Sequence, residues 1–203
     1  MESWGALFDR AAEADIEEAA IGRALERVRD RERNGSDATG SDGDVSPPAE
    51  SGPARVVADA DVLAADLLVD GDARRALDHL RAHSWTTLVA SDPLVDDAAA
   101  VVADLADDAL AADWRERVDV WREPVSQPVG DHPALASAYR GGAMHLLSLD
   151  ERLLSTQASA TLGGRLSVSA RHPRAFATLF DPEGLYGEVA GGEYPGPDRD
   201  PRE

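Results

Sequence analysis

Apolar positions recur at intervals of three and four over residues 3–33, and two helices account for them. Trp4, Leu7, Phe8 and Ala11 form one face, and Ile16, Ala20, Ile21, Ala24, Leu25 and Val28 form the next. Between them, Asp15-Ile-Glu-Glu18 has the spacing of a capping box, with Asp15 accepting from the backbone and Glu18 reaching back. A hairpin of two short helices buries too little to stand alone. It is expected to dock on the rest of the chain, on a second copy as a homodimer, or on a protein partner. Residues 34–54 then lose aliphatic periodicity and are dominated by Gly, Ser, Asp, Pro and Ala, the composition of a disordered linker.

From Arg55 the pattern changes to short apolar runs alternating with helical stretches. Strands are expected at 55–59, 86–90, 145–148 and 165–169, with a short edge segment near Val125. Helices are expected at 62–69, 72–83, 93–105, 109–121, 132–139, 151–158 and 173–180, the fifth closed by Gly141-Gly142. Strands alternating with helices give an α/β fold, a parallel central sheet sandwiched by helices. The expected organisation is an N-terminal helical hairpin (1–33), the linker (34–54), a domain that folds without the hairpin (55–181) and a tail (182–203).

Charge narrows the setting. Among 203 residues, 20 are basic and all of them arginine, against 39 Asp and Glu, for a net charge of −19. An acidic surface without lysine, over small apolar residues and few aromatics, suits a chain hydrated in concentrated salt. It reads as a cytoplasmic protein of a halophile, an archaeon that accumulates salt. At molar ionic strength the Debye length is about 3 Å, so this charge does not exclude nucleic acid as substrate. The absence of lysine excludes a Walker-type phosphate loop and Schiff-base chemistry, and the absence of cysteine excludes disulfides and zinc–thiolate sites. No apolar run approaches the length of a membrane span.

Four aspartates fall where such a fold gathers side chains at one sheet edge. Asp59 ends the first strand, Asp97 lies on the helix after the second, Asp131 opens the helix 132–139, and Asp150 follows the strand 145–148. Ligands in open parallel sheets bind beyond the carboxyl ends of the strands. Converging carboxylates raise one another's pKa unless a cation sits among them, and Mg²⁺ or Mn²⁺ is the hard ion that oxygen ligands prefer.

Five segments, in order, resemble a PIN domain, the metal-dependent nuclease fold of many RNA-cleaving proteins. They are Val56-Val-Ala-Asp59-Ala-Asp61-Val-Leu63, Val89-Ala-Ser91-Asp-Pro-Leu-Val-Asp-Asp97, Asp131-His-Pro-Ala-Leu-Ala136-Ser-Ala138, Gly142-Ala-Met-His-Leu-Leu-Ser148-Leu-Asp150-Glu-Arg-Leu153, and Ser167-Val-Ser-Ala-Arg-His-Pro173-Arg-Ala-Phe176. The resemblance implies a divalent-metal-dependent endonuclease, with RNA as substrate, in which Asp59, Asp97, Asp131 and Asp150 hold one or two ions. It also implies products with a 5′-phosphate and a 3′-hydroxyl. Two positions depart from the family's pattern. The second acid is usually glutamate, and here Asp97 fits the spacing from Ser91 better than Asp96. Asp61 stands where Asn or Ser is usual, adding a charge at the site or capping the helix that follows.

Ser148 is placed to orient a carboxylate or a metal-bound water, and Arg152 and Arg171, with Arg140, Arg165 and Arg174, flank the mouth where phosphates would pass. The plainer reading of these arginines is pairing with the many acids. Asp66, Asp70, Asp72, Asp104, Asp107, Asp108 and Asp113 read as solvated surface, His132, His145 and His172 as structural, and Trp114 and Trp121 as core. Asp59-Ala-Asp61 also resembles the acid pair of haloacid-dehalogenase-type phosphatases and response-regulator receivers, but the basic partner those need has only Arg171 to supply it. The alternative from another class is a catalytically inactive PIN-like module serving as an RNA-binding or protein-assembly scaffold.

Overall fold

The computed structural model describes residues 1–35, 49–127, 132–155 and 168–203. Most of the expected linker, Asp131, Arg165 and the expected end of the helix 151–158 lie outside the described residues. Five strands, β1 (Gly52–Ala58), β2 (Thr87–Ser91), β3 (Glu123–Val125), β4 (Ala143–Leu147) and β5 (Ser169–Arg171), form one sheet in the order β3-β2-β1-β4-β5. Every pairing is parallel. The flanking helices are α1 (Trp4–Ala11), α2 (Glu18–Gly35), α3 (Ala60–Leu68), α4 (Gly71–Arg81), α5 (Asp92–Leu105), α6 (Asp108–Trp121), α7 (Pro133–Arg140), α8 (Glu151–Leu154), α9 (Pro173–Leu179) and α10 (Pro182–Val189). Among the described residues, no helix is long and apolar enough to cross a membrane.

Central β1 carries Val56, Val57 and Ala58 in full burial, as a strand covered on both faces must. It begins at Gly52, three residues before the apolar run, because the backbone there continues the ladder: Gly52 N–H donates to Gly142 O at 2.9 Å. Gly142 has φ +62, and a Cβ there would press on Ala49 O at 2.8 Å. Only glycine lets the chain leave α7 this way and pass so close to residues 49–50.

Helix α3 explains the hairpin. All nine of its residues are buried, and a helix apolar all round needs cover on every side. The sheet and helices α4 and α5 supply part of it, and α1 and α2 pack over the rest. Trp4, Leu7, Phe8, Ile21, Ala24, Leu25 and Val28 belong to the same core as the sheet. Of the three ways the sequence left open for covering that apolar face, docking on the rest of the chain is the one seen within this chain.

Other expectations are corrected. Asp15 does not open α2. It ends a 3-10 turn (Ala12–Ala14) in the left-handed region at φ 48, and the helix begins three residues later at Glu18. The segment after Pro182 is not a free tail: it forms α10, and residues 198–203 bind back, with Asp198 N–H and Arg199 N–H on Ala82 O and Gly5 N–H on Arg202 O. Strand β5 spans 169–171 and so runs two residues past the expected end at 169; residues 165–167 of that expected strand lie outside the described residues. Asp66 is no surface residue. It is 1% exposed and paired with buried Arg81, whose guanidinium stacks 4.2 Å from the Trp4 ring and 4.8 Å from that of Trp121.

Candidate acidic site at the β1–β4 crevice

In the order β3-β2-β1-β4-β5, the connections turn outward in opposite directions from β1 and β4. That switch point lies beyond the carboxyl ends of the two strands, the usual place for a ligand in such sheets. Asp59 follows β1 and Ser148 follows β4. Asp59 N–H donates to Leu147 O at 2.8 Å, which seats the aspartate against β4. Its carboxylate caps α3, Oδ1 accepting from Ala60 N–H at 2.8 Å, and it is wholly buried. Asp59 thus takes the capping role considered for Asp61.

Asp61 instead turns toward the β4–α8 loop. Its Oδ2 accepts from Leu149 N–H at 3.0 Å and lies 3.2 Å from Ser148 Oγ, which is also 3.3 Å from Asp59 Oδ2. One hydroxyl proton serves both carboxylates, while Asp150 N–H donates to the same Oγ at 3.0 Å. Burial, then the charge of Asp59, push Asp61 up to about 8. Asp61 Oδ1 is buried with no hydrogen-bond partner.

The next carboxylate comes from α5. Ser91 caps that helix, its Oγ accepting from Leu94 N–H at 3.4 Å. Asp97 then falls on the face toward α3 and α2 and is 2% exposed, while Asp96 turns outward to Arg115, 2.8 Å away. Between Asp59 and Asp97 lies Arg29 of α2. Its Nε donates to Asp97 Oδ2 and its Nη2 to Asp59 Oδ1, both at 3.1 Å. Burial works against the guanidinium charge, but the two carboxylates outweigh it and raise the Arg29 pKa. Sequence reasoning missed this residue. The signal was an arginine continuing the i, i+4 row Ile21, Leu25, Arg29 on the buried side of α2.

His132, the N-cap residue of α7, faces the same cluster. Burial depresses its imidazole, Asp59 pulls the other way, Arg29 depresses it again, and Asp150 and Asp97 act more weakly. Its Nδ1 is buried without a partner. A histidine read as structural therefore belongs to the site's electrostatics. Its neighbour Asp131 lies outside the described residues.

Asp150 sits at the rim. It caps α8, accepting from Arg152 N–H at 2.8 Å, and the Arg152 side chain folds back on it with Nε 3.0 Å from Oδ1. Burial opposes its charge, yet those bonds to Arg152 hold its pKa below the usual value. The Arg152 guanidinium is exposed and feels Glu26 of α2. Arg171 turns away, its Nε 3.2 Å from Ser169 Oγ. It lies beside His145, whose pKa it helps depress.

Oxygen donors from Asp59, Asp61, Asp97, Ser148 and Asp150 suit a hard divalent ion in kind. As arranged, they do not fit one. Arg29 occupies the gap in which Asp59 and Asp97 would share an ion, and among the described residues no three His, Asp or Glu side chains are grouped to hold a metal.

Fold and site define an α/β protein with an all-parallel five-stranded sheet and a buried acidic cluster at its carboxyl edge, bridged by an arginine from an N-terminal helix. The chain belongs to a family of unknown function (DUF7384), whose profile matches residues 50–202. The match begins after α2, so the helix carrying Arg29 lies outside it. No curated protein and no solved structure matches the chain.

Proposed function

We propose that the crevice is the active site of a PIN-like endoribonuclease that depends on Mg²⁺ or Mn²⁺, and that the conformation described is its closed form. The observation that carries this reading is the pair of buried carboxylates, Asp59 and Asp97, delivered from β1 and α5 to the switch point and bridged by Arg29. Buried carboxylates that share one guanidinium are costly without a positive partner. As described, Arg29 holds the place between Asp59 and Asp97 that such an ion would need. The chain's own groups prepare the place. Ser148 orients Asp59 and Asp61, the α3 amide of Ala60 holds Asp59, and His132 stands within the field of Asp59, Asp97 and Asp150.

A second reading, an inactive PIN-like scaffold for RNA or protein assembly, is favoured by the burial of Asp59 and Asp97 beneath α2. Incubating 5′-labelled RNA with the full chain and Mn²⁺ in molar KCl separates the two. Arg29→Gln is expected to cleave RNA to 5′-phosphate ends, and chelation or an added Asp59→Asn is expected to abolish cleavage. RNA binding without cleavage by Arg29→Gln, untouched by Asp59→Asn, supports the scaffold.

A further inference from the structure

We propose that the cleft between α4, α9 and the segment around Pro197 and Pro201 binds a single nucleotide, its phosphate held by Arg174 and Arg75 and its base laid on the His79 ring. The cleft encloses about 440 Å³, within the range of small-ligand sites. None of its lining residues belongs to the acidic cluster, so it binds or fails to bind a nucleotide whether or not the chain cuts RNA.

Local charge favours an anion here, on a chain whose net charge is −19. Two acids line the cleft, and both are already engaged. Asp78 accepts from Arg81 at 3.0 Å and from Arg202 at 2.9 Å, and Asp72 pairs with Arg75 at 3.2 Å. Arg174 stands on α9, which packs against α4. Its backbone is bound, the N–H donating to His172 Nδ1 at 3.1 Å and the carbonyl accepting from Thr178 Oγ1 at 2.8 Å. Its side chain is exposed, and among the described residues no acid pairs with the guanidinium. Arg75 is 70% exposed and keeps donors beyond its one contact with Asp72. Two guanidiniums on the walls of one cleft suit a phosphate, whose oxygens take paired N–H donors. At molar salt the acidic surface elsewhere does not repel the ligand, because charge is screened within about 3 Å.

His79 sets the planar half of the ligand. Its ring stacks on Phe180, with centroids 4.7 Å apart and planes 28° apart, and it also lines the cleft, which leaves its second face for the ligand. Burial depresses its pKa, against a backbone hydrogen bond to Ala177, so the imidazole is neutral at about pH 7 and offers a π-face. Phe180 stacks in turn on Trp85, and a base on His79 would add one layer to that column. Unstacked bases settle on rings of this kind, histidine included. The neighbouring His83 has no nitrogen to spare: Nδ1 is 2.6 Å from His79 O and Nε2 is 2.5 Å from the Tyr194 hydroxyl. Recognition therefore rests on the phosphate and the ring face.

Titration of the full chain with AMP in molar KCl tests this, read on the His79 ring C–H resonances, which are assigned by their loss in His79→Gln. AMP is expected to move them saturably, and adenosine or inorganic phosphate alone to bind at least ~10-fold more weakly. Arg174→Gln is expected to weaken AMP at least ~10-fold. Arg23→Gln, the same change of charge at an exposed position of α2, should leave AMP binding as it was. A short RNA with a 5′-hydroxyl end that displaces AMP makes the nucleotide a unit of an RNA strand. Failure of that RNA to compete makes it a free nucleotide, and either result keeps the site. His79 resonances unmoved by AMP, or equal losses from Arg174→Gln and Arg23→Gln, overturn it. AMP binding by a chain that cleaves no RNA keeps the site and counts only against the nuclease.

Discussion

Arg29 on α2 and Asp59 at the end of β1 are joined by a hydrogen bond of 3.1 Å, and that bond makes the N-terminal helix part of the acidic site. The aspartate is fully buried, so its charge is tolerable only with such a partner. The contact ties a segment outside the family match to the first strand inside it.

Removing that cation should cost stability. Arg29→Gln is expected to lower the free energy of unfolding by about 1–3 kcal/mol in metal-free buffer, because Asp59 and Asp97 lose a charged donor. Mn²⁺ should restore it, by about 2.7 kcal/mol at a hundred times its Kd. Urea unfolding in molar KCl with and without Mn²⁺ checks both signs. A variant as stable as the parent, and indifferent to Mn²⁺, speaks against a cation position there.

The Asp66–Arg81 pair makes a separate test, remote from any chemistry. Both side chains are 2% exposed, and Arg81 also lies between the rings of Trp4 and Trp121. Asp66→Asn should cost about 1–3 kcal/mol, since it removes the buried one of the two carboxylates that hold Arg81 and leaves only Asp78, 3.0 Å away. The double change Asp66→Leu with Arg81→Met should recover much of the loss. Chemical denaturation of the three proteins decides it.

The hairpin's packing predicts that it cannot be dispensed with. Leu25, 5% exposed, should cost about 2–5 kcal/mol when cut to alanine. Deleting residues 1–35 uncovers the outer face of α3 and should give a protein that binds ANS and unfolds without a sharp transition. A deletion that melts as cooperatively as the full chain would mean the hairpin is an accessory.

Acid should remove two contributions to the fold's stability in turn. Burial depresses the pKa of His79 and of His145, with Arg171 adding to the effect on the latter. The unfolded chain takes these protons near pH 6.5 and the folded chain only at lower pH. Between those values these imidazoles favour the unfolded state, and their contribution falls as pH drops below about 6.5; Asp61, raised to about 8, takes its proton first in the folded state and acts in the opposite sense over the same range. Asp92 is depressed by its hydrogen bond to Arg122, and its contribution is lost further down, below about pH 3.9. Unfolding measured from pH 8 to 5 should show the histidine contribution as a difference: His79→Gln with His145→Gln should lose less stability on acidification than the parent chain.

Much of this was legible in the sequence where one local pattern dictates one outcome. The apolar run ending at Asp59 reads as a buried strand, Ser91 before Pro93 reads as a helix start, and Gly141-Gly142 reads as a stop; the chain does each. The choice of Asp97 over Asp96 also followed from helical spacing, and the structure buries the first and exposes the second. What could not be read is long-range pairing. Asp66 looks like any surface acid until Arg81, 15 positions on, is seen to meet it in the core. Arg29 looks like one of many solvated arginines, because its partners are 30 and 68 positions away. The docking of Asp198 and Arg202 was hidden the same way, in a stretch whose Gly and Pro content resembles a loose tail.

The most direct test of the acidic crevice as a metal site is anomalous scattering from crystals of Arg29→Gln grown with Mn²⁺ in molar KCl. A single strong peak is expected between the carboxylates of Asp59 and Asp97, at about 2.0–2.6 Å from their oxygens. Asp59→Asn should abolish that peak. An empty crevice in the variant, with Mn²⁺ scattered over the acidic surface, would contradict the account.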